Sequence, residues 1–178
     1  MLEYAVAVGE TYTDLGDLLR DHQPDVALTW FDKAQQTWRS VLVKEPRRRR
    51  ARVGMNNVLC GRTIALAKQG KYAQAATEAD AASKQADLTP GNYFTLGRTY
   101  AVCSQRSGAD DKHPDRERAK LREAGVTRAI DMLHQAVSHG YGDLGRLQKH
   151  KDLDSLRDRP EFKKVLEEAA RRGRGEVK

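Results

Sequence analysis

The chain has 178 residues, of which 39% are hydrophobic, 32% charged and 6% aromatic, with a formal net charge of +7. That length suits one compact domain, and the mixture is rich in helix formers and poor in strand formers. No apolar run approaches the length needed to cross a bilayer, and no alternation of apolar and polar residues runs long enough to suggest a strand.

The opening Met-Leu-Glu-Tyr carries an acid where a secretory signal would carry positive charge, so a soluble, cytoplasmic protein is expected. Helical spacing then begins with Tyr12-x2-Leu15-Gly16-x2-Leu19, followed by Ala27-x3-Phe31-x2-Ala34. The glycine lets a partner helix approach closely, while the flanking large residues fill the remaining space. A second copy reads Asn57-x2-Cys60-Gly61-x2-Ile64, then the turn Gly70-Lys71-Tyr72 and the small residues Ala75, Ala79 and Ala82. A third reads Tyr93-x2-Leu96-Gly97-x2-Tyr100, with Ala129, Leu133 and Ala136 behind Val126. The segments beginning at Cys60 and Leu96 are nearly the same text, with their glycines 36 residues apart. Periods of roughly 34 residues belong to stacked helix pairs.

This pattern resembles the tetratricopeptide repeat over roughly residues 4–140. The resemblance implies an all-α fold in which antiparallel helix pairs stack as a right-handed solenoid of about three irregular repeats, with a C-terminal helical cap. The repeats are expected at 1–46, 47–89 and 90–140, capping helices at 141–172 and a frayed tail at 173–178. The first interval is long, Gly16 to Gly61 spanning 45 residues, so Pro46 and the basic run beside it must absorb the excess. The third repeat carries a polar insertion at 107–115, with Gly108 and Pro114, which reads as a surface loop.

Toward the C-terminus, Leu147 to Leu166 reads as a short helix, a tight turn and a second helix opened by Pro160, with Phe162, Val165 and Leu166 as its apolar face. Such an element covers the exposed face of a terminal repeat. Its text, Lys151-Asp152-Leu153-Asp154-Ser155-Leu156-Arg157 followed by Phe162-Lys163, resembles the C-terminal repeat tails of bacterial Hanks-type serine/threonine kinases, particularly those of planctomycetes. The stretch Gly61 to Ala86 resembles the preceding part of the same tails. In that family the catalytic domain precedes the repeats. The resemblance therefore implies a recognition role, either as a piece of a larger signalling protein or as a stand-alone relative of the tail.

Charge is unevenly placed. Residues 1–46 hold four Lys or Arg against eight Asp or Glu, which leaves the remainder strongly basic. The densest point is Arg47, Arg48, Arg49, Arg50 and Arg52. Basic charge at a helix start opposes the macrodipole, so this run reads either as a solvated segment facing acidic neighbours or as a docking surface. Nucleic-acid binding is the alternative reading, disfavoured because no aromatic platform or known module lies beside the run.

No phosphate loop, zincin helix, nucleophile elbow or dinucleotide fingerprint is present, so no enzymatic role is expected. Cys60 and Cys103 fall at packing positions and are expected as reduced, buried thiols. Neither forms a zinc-type pair, and His134 and His139 are five apart, so neither metal nor cofactor is expected. Aligning Gly16, Gly61 and Gly97 projects a groove lined by Glu10, Thr13, Asp17, Met55, Val58, Arg62, Phe94 and Arg98. It would be acidic at the first repeat, basic at the next two, and suited to a protein or peptide with an acidic portion. The alternative for Arg62 and Arg98 is a solvated face or an ion pair to the neighbouring second helix. Self-association through an uncovered end is a further reading.

Overall fold

A computed structural model describes residues 1–107 and 115–176, with the side chains of 106 and 107 excepted. Among these the protein is all-helical. It contains α1 (Leu2–Leu19), α2 (Pro24–Lys44), α3 (Arg49–Lys68), α4 (Tyr72–Ala82), α5 (Pro90–Ser107), α6 (Asp115–Ser138), α7 (Leu144–Lys149), a 3-10 segment (Lys151–Leu156) and α8 (Pro160–Gly173). The insertion expected at 107–115 falls, over 108–114, outside the described residues. No described helix is long and apolar enough to cross a membrane.

Helix borders follow local chemistry. Pro24, Pro90 and Pro160 each open a helix, where the missing N–H costs nothing and the fixed φ is already helical. Gly70 and Gly140 close α3 and α6 at φ +83° and +98°, a left-handed conformation that a Cβ would strain. Asp143 caps α7 by accepting from Arg146 N at 2.8 Å.

The chain divides into two compact units, Met1–Leu88 and Thr89–Lys178. In the first, α2 lies between α1 and α3 and antiparallel to both. Two aromatic side chains of α2 make this packing specific. Phe31 is clamped between Gly16 of α1 and Gly61 of α3, and Trp38, two turns later, between Gly9 and Gly54. A Cβ at Gly16 would stand 2.5 Å from Phe31 Cε1, and one at Gly54 would stand 2.5 Å from Trp38 Cε2. The glycines therefore let three helices close on two rings at once. Trp38 donates its buried Nε1–H to Thr13 Oγ1 at 3.1 Å, and Thr13 donates to Gly9 O at 2.7 Å. Val6, Ala27, Ala34, Val41, Ala51, Val58 and Ala65 complete this core. α4 packs on α3 through small residues, with Ala75, Ala79 and Ala82 buried.

The second unit pairs α5 with α6, again antiparallel. Gly97 meets Leu133, and Ser104 meets Gly125, where a Cβ would stand 2.7 Å from Leu133 Cγ and 2.8 Å from Ser104 Cβ respectively. The 3-10 segment packs on α5, and α8 on α6 and α7. Leu147, Leu153, Leu156, Phe162 and Val165 are buried there. Leu166, expected on the same face, is half-buried.

Candidate functional site

The three glycines expected to be equivalent do sit at close helix approaches, yet the residues around them have different fates. Four of the eight projected groove residues are core and line no accessible surface. Thr13 is spent on Trp38, Val58 is buried in the first core, and Phe94 stacks on Tyr141 with ring centroids 4.6 Å apart. Arg98 is 0% exposed and donates through Nε and Nη2 to Asp152 Oδ2 at 2.9 and 2.7 Å. The other four are half-buried. Glu10 faces Arg50, Asp17 accepts from Arg20 at 2.6 Å, and Met55 packs beside the core. The reason for the correction is geometric. Register places a residue on a side of its own helix, but the elements packed against that side decide whether it reaches solvent.

Arg62 is the exception. It is 16% exposed and forms part of the wall of a cleft of about 300 Å³ bounded by α2, α3 and α4. Its guanidinium pairs with Asp32 of α2 and, at 3.3 Å, with Glu78 of α4. Leu59, Ala81 and Ala82 give the cleft an apolar lining, and Gln35 and Gln85 contribute amides from opposite sides. One arginine between two carboxylates leaves the cleft without excess positive charge. An acidic segment would meet two carboxylates there beside the one guanidinium.

The basic run meets the acidic N-terminal helix. Arg48 pairs with Glu3 of α1 and with Glu45 at 2.8 Å, and Arg50 grips Glu10 in a fork at 2.6 and 2.8 Å. Arg52 faces Asp87 at 2.8 Å. Hydrogen bonds from Arg48 hold the Glu3 carboxyl below its ordinary range, and hydrogen bonds to Glu3 and to Glu10 raise the Arg48 and Arg50 guanidiniums. The charge asymmetry between the first 46 residues and those after them is thus partly resolved inside the first unit. Arg47 and Arg49 are exposed.

Burial pushes the thiols of Cys60 and Cys103 up to about 12, so neither is a nucleophile at neutral pH. Among the described residues no group of three or more His, Cys, Asp or Glu side chains could hold a metal ion. In the second unit Tyr93 stacks on His139 at 5.0 Å, and Arg146 lies over the Phe94 ring at 5.3 Å. Burial raises the Tyr141 hydroxyl.

Set against known proteins, the chain matches no family model, no curated protein and no solved structure.

Sequence reasoning missed Asp32, Glu78, Gln35 and Gln85, which build the cleft around Arg62, and Asp152, which takes Arg98 into the core. No short-range signal marks them. Asp152 lies 54 residues from Arg98, and Asp32 lies 30 from Arg62.

Proposed function

We propose that this protein is a non-catalytic, tetratricopeptide-like scaffold that binds an extended segment of another protein in the Arg62 cleft. The observation that carries the reading is the doubled clamp. Gly9 and Gly16 on α1, and Gly54 and Gly61 on α3, close on Trp38 and Phe31 with the same 45-residue offset. Helices related in this way are what a stacked repeat would produce, and stacked repeats work through the surfaces between their helices. The resemblance of Gly61 to Ala86, and of Lys151 to Lys163, to kinase tails adds a context. The chain then serves as the regulatory or recruiting region of a bacterial signalling protein such as a serine/threonine kinase.

The nucleic-acid reading has less to rest on, because three arginines of the basic run already face carboxylates. It predicts retention of a long polyanion that falls steeply with salt.

A library of displayed twelve-residue peptides, selected on the whole chain, tests the scaffold reading. Enriched peptides should be neutral or basic and bind Ala81→Arg, which fills the cleft from its α4 side, at least tenfold more weakly. Enriched peptides that bind Ala81→Arg unchanged, or no enrichment at all, would overturn the assignment of the cleft.

A further inference from the structure

Three charged side chains meet at the Arg62 cleft, and their depths differ. The Arg62 side chain is 16% exposed, Glu78 29% and Asp32 58%. The guanidinium therefore lies beneath the carboxylates, and a ligand entering from solvent meets negative oxygens before it meets the positive charge. Asp32 reaches Arg62 through Oδ1. Glu78 accepts from Arg62 Nε through Oε2 at 3.3 Å, and from Gln74 Nε2 through Oε1 at 3.0 Å. A carboxylate offers about four acceptor sites, so both keep acceptor capacity toward the opening. Every other side chain of the wall is uncharged. One cation against two anions leaves the cleft negative, in a chain whose formal net charge is +7.

We infer that this cleft is an arginine-selective subsite, in which Glu78 and Asp32 receive the guanidinium of an arginine carried by the bound partner segment. The inference rests on the cleft being the binding site proposed above, and adds the side chain that the site selects. Charge sets the sign. A cation brought against the two carboxylates supplies the charge that Arg62 alone leaves missing, whereas an incoming carboxylate would add a third anion. Arginine suits the place better than lysine. Its planar fork donates to carboxylates along two directions and is more weakly hydrated than an ammonium, and its stem can lie along Leu59, Ala81 and Ala82. A cleft of about 300 Å³ has room for one such side chain rather than for a folded element. Its walls come from α2, α3 and α4, all within the first unit. The selection also runs against the field of the whole protein. A strongly basic chain draws acidic peptides to its surface and repels basic ones, so a preference for arginine points to a local group.

The test is the composition of peptides selected on the whole chain from a random displayed library at physiological salt. Peptides that lose binding to Ala81→Arg should share an arginine at one position. Exchanging that arginine for glutamine should weaken binding to the native chain about fivefold, and the same exchange should cost less than about twofold on Glu78→Gln. The glutamine peptide itself should bind the native chain and Glu78→Gln alike, which shows that the variant still presents an intact cleft. Asp32→Asn, at the more exposed carboxylate, repeats the comparison should Glu78→Gln disturb α4. Peptides that need the cleft but share no arginine overturn the inference and leave the cleft reading standing. So do peptides whose arginine is worth as much on both variants as on the native chain. No enrichment, or peptides indifferent to Ala81→Arg, overturns the two together.

Discussion

Arg62 and Arg98 each follow a close-packed glycine by one residue, yet one lies at the edge of an open cleft and the other is entombed. Both are paired, Arg62 with Asp32 and Glu78 and Arg98 with Asp152. The difference is the partner's setting. Asp32 is largely exposed, whereas Asp152 is as buried as the arginine it holds. Taking two charges out of water is costly, and the fitted pair offsets much of that loss, so removing Asp152 withdraws the carboxylate that accepts two hydrogen bonds from the buried Arg98. The lesson is that an arginine at one repeat position is not a functional group until its surroundings are known.

The largest expected effect tests that contrast directly. Asp152→Ala should destabilise the protein by about 3–5 kcal/mol, read from urea or guanidinium denaturation. Arg62→Ala should cost roughly 0–1 kcal/mol, because its partners are wetter and can be resolvated. The double variant Arg98→Met/Asp152→Leu should recover most of the loss from Asp152→Ala. Equal costs for the two single variants would erase the distinction between a core arginine and a cleft arginine.

Next in size come the glycines that precede these arginines. Gly61→Ala should cost about 1–3 kcal/mol through overpacking. The Phe31 ring it would strike is already held from the other side by Gly16. Gly97→Ala should cost a similar amount, since its Cβ would stand 2.7 Å from Cγ of the fully buried Leu133 and 3.2 Å from the backbone oxygen of Ala129. Pairing Gly61→Ala with Phe31→Leu should return part of the loss in thermal melting. A larger cost at Gly97 than at Gly61 would mean that the second unit is the more rigid of the two.

Much of this was legible in the chain and some was not, for reasons visible at particular residues. Gly16, Gly61, Gly97, Phe31 and the alanines beside them announced close packing because small and large residues alternated at helical spacing. The helix start at Pro160 was equally plain, whereas those at Pro24 and Pro90 went unread. The second clamp was also written there and overlooked. Gly9 and Gly16, Gly54 and Gly61, and Phe31 and Trp38 are each seven residues apart, which is two turns along one helix face. The cleft and the buried arginine were not legible, because both depend on which distant helix packs against a given face. Helical periodicity reports a direction around one helix, and the Asp152 that sealed Arg98 comes from a segment whose text signalled only a cap.

The smallest expected effect asks whether the two units differ in tightness as well as in pairing. Cys60 adjoins Gly61 and Cys103 lies on the helix of Arg98, and burial pushes both thiols from 9.0 up to about 12. At pH 7 each is neutral whether the chain is folded or not, so its contribution is fully present. Above pH 9 the unfolded chain releases the proton while the folded one retains it, and stability falls with rising pH until about pH 12. At pH 9.5 that amounts to about 0.8 kcal/mol per thiol. Cys60→Ala and Cys103→Ala should each lose stability less steeply than the wild type between pH 7 and 9.5, by that amount, in denaturation curves taken at both values. If the two variants flatten the curve equally, both cores exclude water equally well, and the unequal costs at Arg62 and Asp152 then belong to the ion pairs. If only Cys60→Ala does so, the core around Arg98 opens locally, and its buried charge pair is met by solvent more often than its geometry implies.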